Sequence, residues 1–206
     1  MDYFMTEEKE RFIDGECGKI QAGFTEGKNQ DVAVLAWNPH PQYQATMFNK
    51  VITTVMRAAK KKKLSCLRFN YRGVGKSQGS YAGGIGEAND ALAAARWLLN
   101  ETGCSRIWLV GFSFGGAVAY RVQKKLACQG VLLICPSIES EDMKESMNCP
   151  LWVLQAEDDQ VIDPKKVSQW SCEVGAKELI FFQRSGHFFH GKLSELQSKL
   201  EDLLMV

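Results

Sequence analysis

Three side-chain types in this sequence have the chemistry for nucleophilic attack on a carbonyl: a hydroxyl at Ser113, a carboxylate at Asp158 or Asp159, and an imidazole at His187. Ser113 lies in Leu109-Val110-Gly111-Phe112-Ser113-Phe114-Gly115-Gly116. A Gly-x-Ser-x-Gly pattern marks a serine nucleophile when it ends a strand and opens a helix. A serine hydroxyl is a weak nucleophile at neutral pH, so it needs a base within hydrogen-bond reach and a carboxylate to orient that base. The chain holds only 3 histidines, His40, His187 and His190. His187 follows the last apolar strand in the glycine-containing loop Ser185-Gly186-His187, where a base must stand to reach the serine. His190 falls at the start of the closing helix and reads as a cap or packing residue. Among the acids, Asp163 precedes Pro164 and reads as a helix N-cap. Glu157, Asp158 and Asp159 then compete, with Asp159 placed where the loop should bend back toward the histidine.

Attack on a carbonyl also needs two N–H donors for the developing oxyanion. One is expected from the amide of Phe114, the other from the loop after Trp37. Pro39 and Pro41 have no N–H, so the second donor must be His40, Gln42 or Tyr43. His40 has no acidic or cysteine partner at ligand spacing, which argues against a metal role, and no metal or other cofactor is expected. The glycine-rich loop Arg72-Gly73-Val74-Gly75-Lys76-Ser77-Gln78-Gly79 suggests phosphate binding until its spacing is checked. Asn70 stands where a phosphate loop needs its first glycine, and the glycine spacing also misses the dinucleotide fingerprint.

These groups converge only if several strands end along one edge. Val32–Trp37 is a continuous apolar run, which means a strand buried on both faces, as in a parallel sheet covered by helices. Further short strands are expected at 65–69, 106–110, 130–134, 151–155 and 179–182, preceded by two short antiparallel strands between Phe12 and Phe24. Helical spacing of apolar residues marks 46–62, 87–100, the segment after Ser113, a helix beginning near Pro164, and a closing helix striped by Leu193, Leu196, Leu200, Leu203 and Leu204. Alternating strands and helices predict an α/β fold: a mostly parallel, doubly wound sheet with helices on both faces, as one domain over residues 1–206. The segment between Pro136 and Pro150 is too short for a lid domain, so the site should be open.

Composition bounds the partners. The 206 residues carry 25 basic and 24 acidic side chains, a net charge of +1, so no long-range field draws the protein to nucleic acid. The run Lys60-Lys61-Lys62-Lys63 reads as the solvated end of a helix, where cations oppose the dipole. The 7 cysteines are scattered, odd in number and never spaced Cys-x-x-Cys, which suits a reducing cytoplasm rather than a disulfide framework. No apolar run reaches transmembrane length, so membrane insertion is not expected.

Several stretches together resemble short, lidless members of the α/β-hydrolase superfamily, in a group similar to bacterial serine hydrolases. They are Asn38-Pro39-His40-Pro41-Gln42-Tyr43, Leu67-Arg68-Phe69-Asn70-Tyr71-Arg72-Gly73-Val74-Gly75-Lys76-Ser77, Gly83-Gly84-Ile85-Gly86-Glu87, the Ser113 motif, Asp159-Gln160-Val161-Ile162, and Gly186-His187-Phe188-Phe189-His190-Gly191. The resemblance implies Ser113 as nucleophile, Asp159 as orienting acid and His187 as base. Two departures fall in the loop expected to supply the second oxyanion donor: Asn38 stands where the family pattern has its first histidine, and Gln44-Ala45 where it has two glycines. Losing one such donor costs on the order of a hundredfold to a thousandfold in rate. The expected activity is hydrolysis of small or accessible carboxylic esters or thioesters, with a small-molecule acyl substrate as partner. The alternatives are a hydrolase-fold binding or scaffold protein with weak turnover, and a peptidase or acyltransferase using the same serine.

Overall fold

In the computed structural model, which describes residues 7–43 and 45–204, eight strands share one sheet. They are β1 Lys9–Gly15, β2 Gly18–Thr25, β3 Val32–Trp37, β4 Ser65–Phe69, β5 Arg106–Phe112, β6 Cys128–Ile134, β7 Leu151–Ala156 and β8 Glu178–Phe182. The helices are α1 Lys50–Lys61, α2 Ile85–Thr102, α3 Phe114–Val122, α4 Pro164–Glu173 and α5 Leu193–Leu203. The spatial order is β1-β2-β4-β3-β5-β6-β7-β8. The hairpin β1–β2 lies antiparallel on β4, and from β4 to β8 every neighbouring pair is parallel.

β3 shows why the sheet is covered twice. Ala33, Leu35 and Trp37 enter one core with α2, α3 and α4, while Val32, Val34 and Ala36 enter the other with α1 and α5. Successive strand side chains point to opposite faces, so a strand apolar at every position must be sandwiched. The parallel strands all end along one edge, where open α/β sheets place their ligands.

The helix ends differ from the periodicity for local reasons. α1 starts at Lys50 rather than at residue 46, because the Asn49 side chain accepts from Val51 N at 2.9 Å and Met47 N is drawn off to Asn70 Oδ1 at 2.7 Å. α2 starts at Ile85, before the expected position 87, because the Glu87 carboxylate reaches back to Gly84 N (2.7 Å) and Ala82 N (2.9 Å). The lysine run ends α1 as expected, with Lys61 also paired to Glu201 of α5 at 2.8 Å. Between β6 and β7 the described backbone carries only the short 3-10 turn Glu141–Lys144. No helix among the described residues is long and apolar enough to cross a membrane.

Candidate active site

β5 ends at Phe112 and α3 begins at Phe114, so Ser113 makes the whole turn alone, at φ 56° and ψ −117°. A residue with a side chain in that region carries strain of ~1–3 kcal/mol. The neighbours over-determine it: Ser113 N donates to Ile134 O at 2.9 Å, and its carbonyl accepts from Gly116 N (2.8 Å) and Ser137 N (3.1 Å). The flanking glycines allow the crowding. A Cβ on Gly111 would lie 2.3 Å from Gly115 O, and one on Gly115 would lie 2.7 Å from Trp37 O. Trp37 Nε1 donates to Gly115 O at 2.6 Å, which clamps the end of β3 onto the start of α3. Gly115→Ala meets the rigid backbone of Trp37 and Asn38. It is expected to lower stability by ~1–3 kcal/mol in urea unfolding and to reduce turnover, because relief of the clash must move Ser113.

The acidic partner lies in the turn after β7. Asp159 Oδ1 accepts from Val161 N (2.8 Å) and Ile162 N (2.9 Å), and Oδ2 accepts from His187 Nδ1 (2.8 Å) and Gln155 Nε2 (3.3 Å). Burial pushes the Asp159 carboxyl up, but the hydrogen bonds from His187, Ile162 and Val161 outweigh it and hold the group below the usual carboxylate range. With Nδ1 donating to the carboxylate, the tautomer assigned to His187 leaves a lone pair at Nε2. The ring is buried against Phe112 at a centroid distance of 4.9 Å. Of the other acids, Asp163 caps α4 through Lys165 N, while Glu157 and Asp158 are exposed, the Asp158 amide closing the loop onto Ser185 O.

Ser113, Phe114 and His187 line one cleft of about 860 Å³. Ser113 Oγ makes no hydrogen bond among the described residues, so His187 shares the cleft with it without a bonded contact. Such bonds are often long before substrate binds. On the loop after β3, Gln42 N donates to His40 Nδ1 at 3.3 Å and Tyr43 N donates to His40 O at 3.2 Å. Both amides therefore serve the turn. Burial lowers the pKa of His40, against the opposing field of Glu87, which keeps Nδ1 available as an acceptor. Its Nε2 meets Tyr81 Oη at 3.2 Å, and its ring lies 4.7 Å from that of Phe114. Asn38 does not face the cleft: it is buried, its Nδ2 donates to Phe69 O at 2.8 Å, and it ties β3 to β4. Gln44 lies outside the described residues; Ala45 lines the cleft.

His190 corrects the sequence reading. It neither caps nor packs: Lys192 holds the N-cap position of α5, and His190 stays exposed at the cleft rim beside Phe188. Cys135 is a residue that no motif flagged. Its Sγ, an Asp159 carboxylate oxygen and a ring nitrogen of His187 lie within 4.8 Å of one another, which is ligand-like spacing. Burial pushes the Cys135 thiol well up, and the His187 proton is already engaged with Asp159. A metal would have to break that bond and ionise a buried thiol, so the cluster reads as a hydrogen-bonded chain.

Comparison with known proteins gives the family. Residues 36–152 match the model of a family described as "Alpha/beta hydrolase family". The chain belongs to the alpha/beta hydrolase family. A solved α/β serine hydrolase homologue from Coxiella burnetii is 32% identical, with a TM-score of 0.90 over 99% of this chain and 100% of that one. A second, from Xanthomonas campestris and described as a serine hydrolase without a lid, is 30% identical with a TM-score of 0.88, covering 98% and 95% of the two chains. An uncharacterized protein of Rickettsia prowazekii is 27% identical over 94% of this chain and 87% of its own length. In this hydrolase Ser113, Asp159 and His187 follow β5, β7 and β8, at the C-terminal edge of the parallel strands.

Proposed function

We propose that this hydrolase cleaves small or accessible carboxylic esters or thioesters through an acyl-enzyme, working in the cytoplasm. The observation that carries the reading is the strained Ser113 turn opening on the same cleft as the His187–Asp159 pair. Ser113 Oγ attacks the carbonyl carbon while His187 Nε2 takes its proton, and Asp159 holds the resulting imidazolium. The tetrahedral oxyanion is received by the amides of Phe114 and His40. His40 takes this role over Gln42 and Tyr43 because the amides of those two are turned onto His40 itself. His187 then returns the proton to the leaving oxygen or sulfur, and water, activated by the same imidazole, releases the acid and restores Ser113.

A fluorophosphonate probe tests the nucleophile. Wild-type protein is expected to take one label at Ser113 and Ser113→Ala none, read by intact-protein mass. Equal labelling of the two would overturn the assignment. A labelled protein that turns over acyl acceptors or amides, but no ester or thioester, would move it to a transferase or peptidase.

A further inference from the structure

Several of the large apolar side chains that the chain leaves exposed, Tyr43, Phe48, Val161 and Phe188, line the cleft that holds Ser113. Exposed rings are unremarkable when scattered, whereas rings gathered around a pocket mark what the pocket receives. Phe48 is 57% exposed, yet its position is built from behind. The Arg68 guanidinium lies 4.7 Å from its ring centroid, and that buried guanidinium is itself fixed to Met47 O, Thr53 Oγ1 and Glu8. A cation held under one face of a ring leaves the other face as a platform. Phe188 stands edge-on to His187, at 5.0 Å and 88°.

The charges at the cleft sharpen the choice. Among the described lining residues the full charges are Lys50 and Glu139, one of each sign, which gives no cluster for a phosphate-bearing or dicarboxylic acyl group. With no lid over the cleft among the described residues, a long alkyl chain would remain largely in water, while a flat ring can bury one face on another ring.

We propose that the preferred substrates are esters of aromatic carboxylic acids, with the aryl ring of the acyl group lying on the Phe48 platform. This rests on the acyl-enzyme reading above. The base must stand beside the leaving group, so the acyl group is directed away from His187 and Phe188, toward the wall built by the segment between β3 and α1.

The test compares kcat/KM for methyl cinnamate and methyl butyrate in wild type, Phe48→Leu and Phe48→Tyr, with fluorophosphonate labelling of the same preparations. Wild type should prefer the cinnamate. Phe48→Leu should lower the cinnamate-to-butyrate ratio roughly three- to tenfold, the range of one aromatic pair, and Phe48→Tyr, which keeps a ring, should retain it. A wild-type preference for butyrate, or an unchanged ratio in Phe48→Leu, with Ser113 labelled in both cases, overturns this inference alone. Absence of label overturns the acyl-enzyme reading and this inference with it.

Discussion

Asp159→Asn is expected to give a folded protein whose kcat on any ester substrate falls by about 10⁴-fold. The asparagine oxygen can still accept from Val161 N and Ile162 N, at 2.8 and 2.9 Å in the native turn, so the loop keeps its shape. Its NH2 group, however, replaces the oxygen that accepts from His187 Nδ1. Two donors cannot face each other, so the imidazole must carry its proton on Nε2, and that nitrogen can no longer take the proton of Ser113. Asp159→Ala would differ, because it also strands both amides and should lose stability as well as rate. The variant has a second signature in acid. The native carboxyl titrates below its ordinary value, so its contribution to stability is fully present above about pH 3.9 and is lost as pH falls through the lowered folded value. Asp159→Asn should therefore show a shallower loss of stability below about pH 4 in urea unfolding. Turnover within tenfold of wild type would show that the carboxylate does not set the histidine tautomer.

The parts of this site that sequence makes legible are those set by local chemistry. The strands and their doubly covered sheet could be read because unbroken apolar runs such as Val32–Trp37 allow only a doubly covered strand, and β3 divides its side chains between the two cores. The Ser113 turn could be read because backbone crowding excludes a Cβ at Gly111 and Gly115. What stayed hidden depends on partners distant in the chain. Asn38 looked like a change in oxyanion chemistry, but its role is a bond to Phe69 across the sheet. His190 looked like a helix start because leucine periodicity fixes a face and not an end, and Lys192 supplies no side-chain cap to signal the true boundary. The Phe48 platform needs Arg68 behind it, and nothing in the spacing of the two residues announces that.

Asp90→Ala is expected to be the most destabilising single truncation of a polar group in the chain, at ~3–5 kcal/mol. Arg72 and Asp90 are 5% and 1% exposed. They are joined by Nε to Oδ2 at 3.0 Å and Nη2 to Oδ1 at 2.8 Å, and Arg72 N adds a third bond to Oδ2 at 3.0 Å. Breaking such a pair from the acid side leaves a guanidinium that cannot lose its charge, with the half-exposed Glu16 as its remaining carboxylate at 3.2 Å. Gly86 shows how closely the pair is housed, since a Cβ there would lie 2.3 Å from Arg72 Nη1. The melting temperature should fall by roughly 6–20 °C for a chain of this size. Removing both charges, as Arg72→Met with Asp90→Leu, should recover much of the loss, because the penalty lies in the uncompensated charge. The effect should also reach catalysis. Arg72 and Asp90 brace the two ends of the segment that carries Tyr81, and Tyr81 Oη meets the ring of His40, whose amide we propose as an oxyanion donor. Below its melting temperature, Asp90→Ala should therefore lose kcat in the same direction as Tyr81→Phe, while both still react with a fluorophosphonate at Ser113. A normal kcat in Asp90→Ala would confine the pair to stability and leave His40 positioned by its own turn.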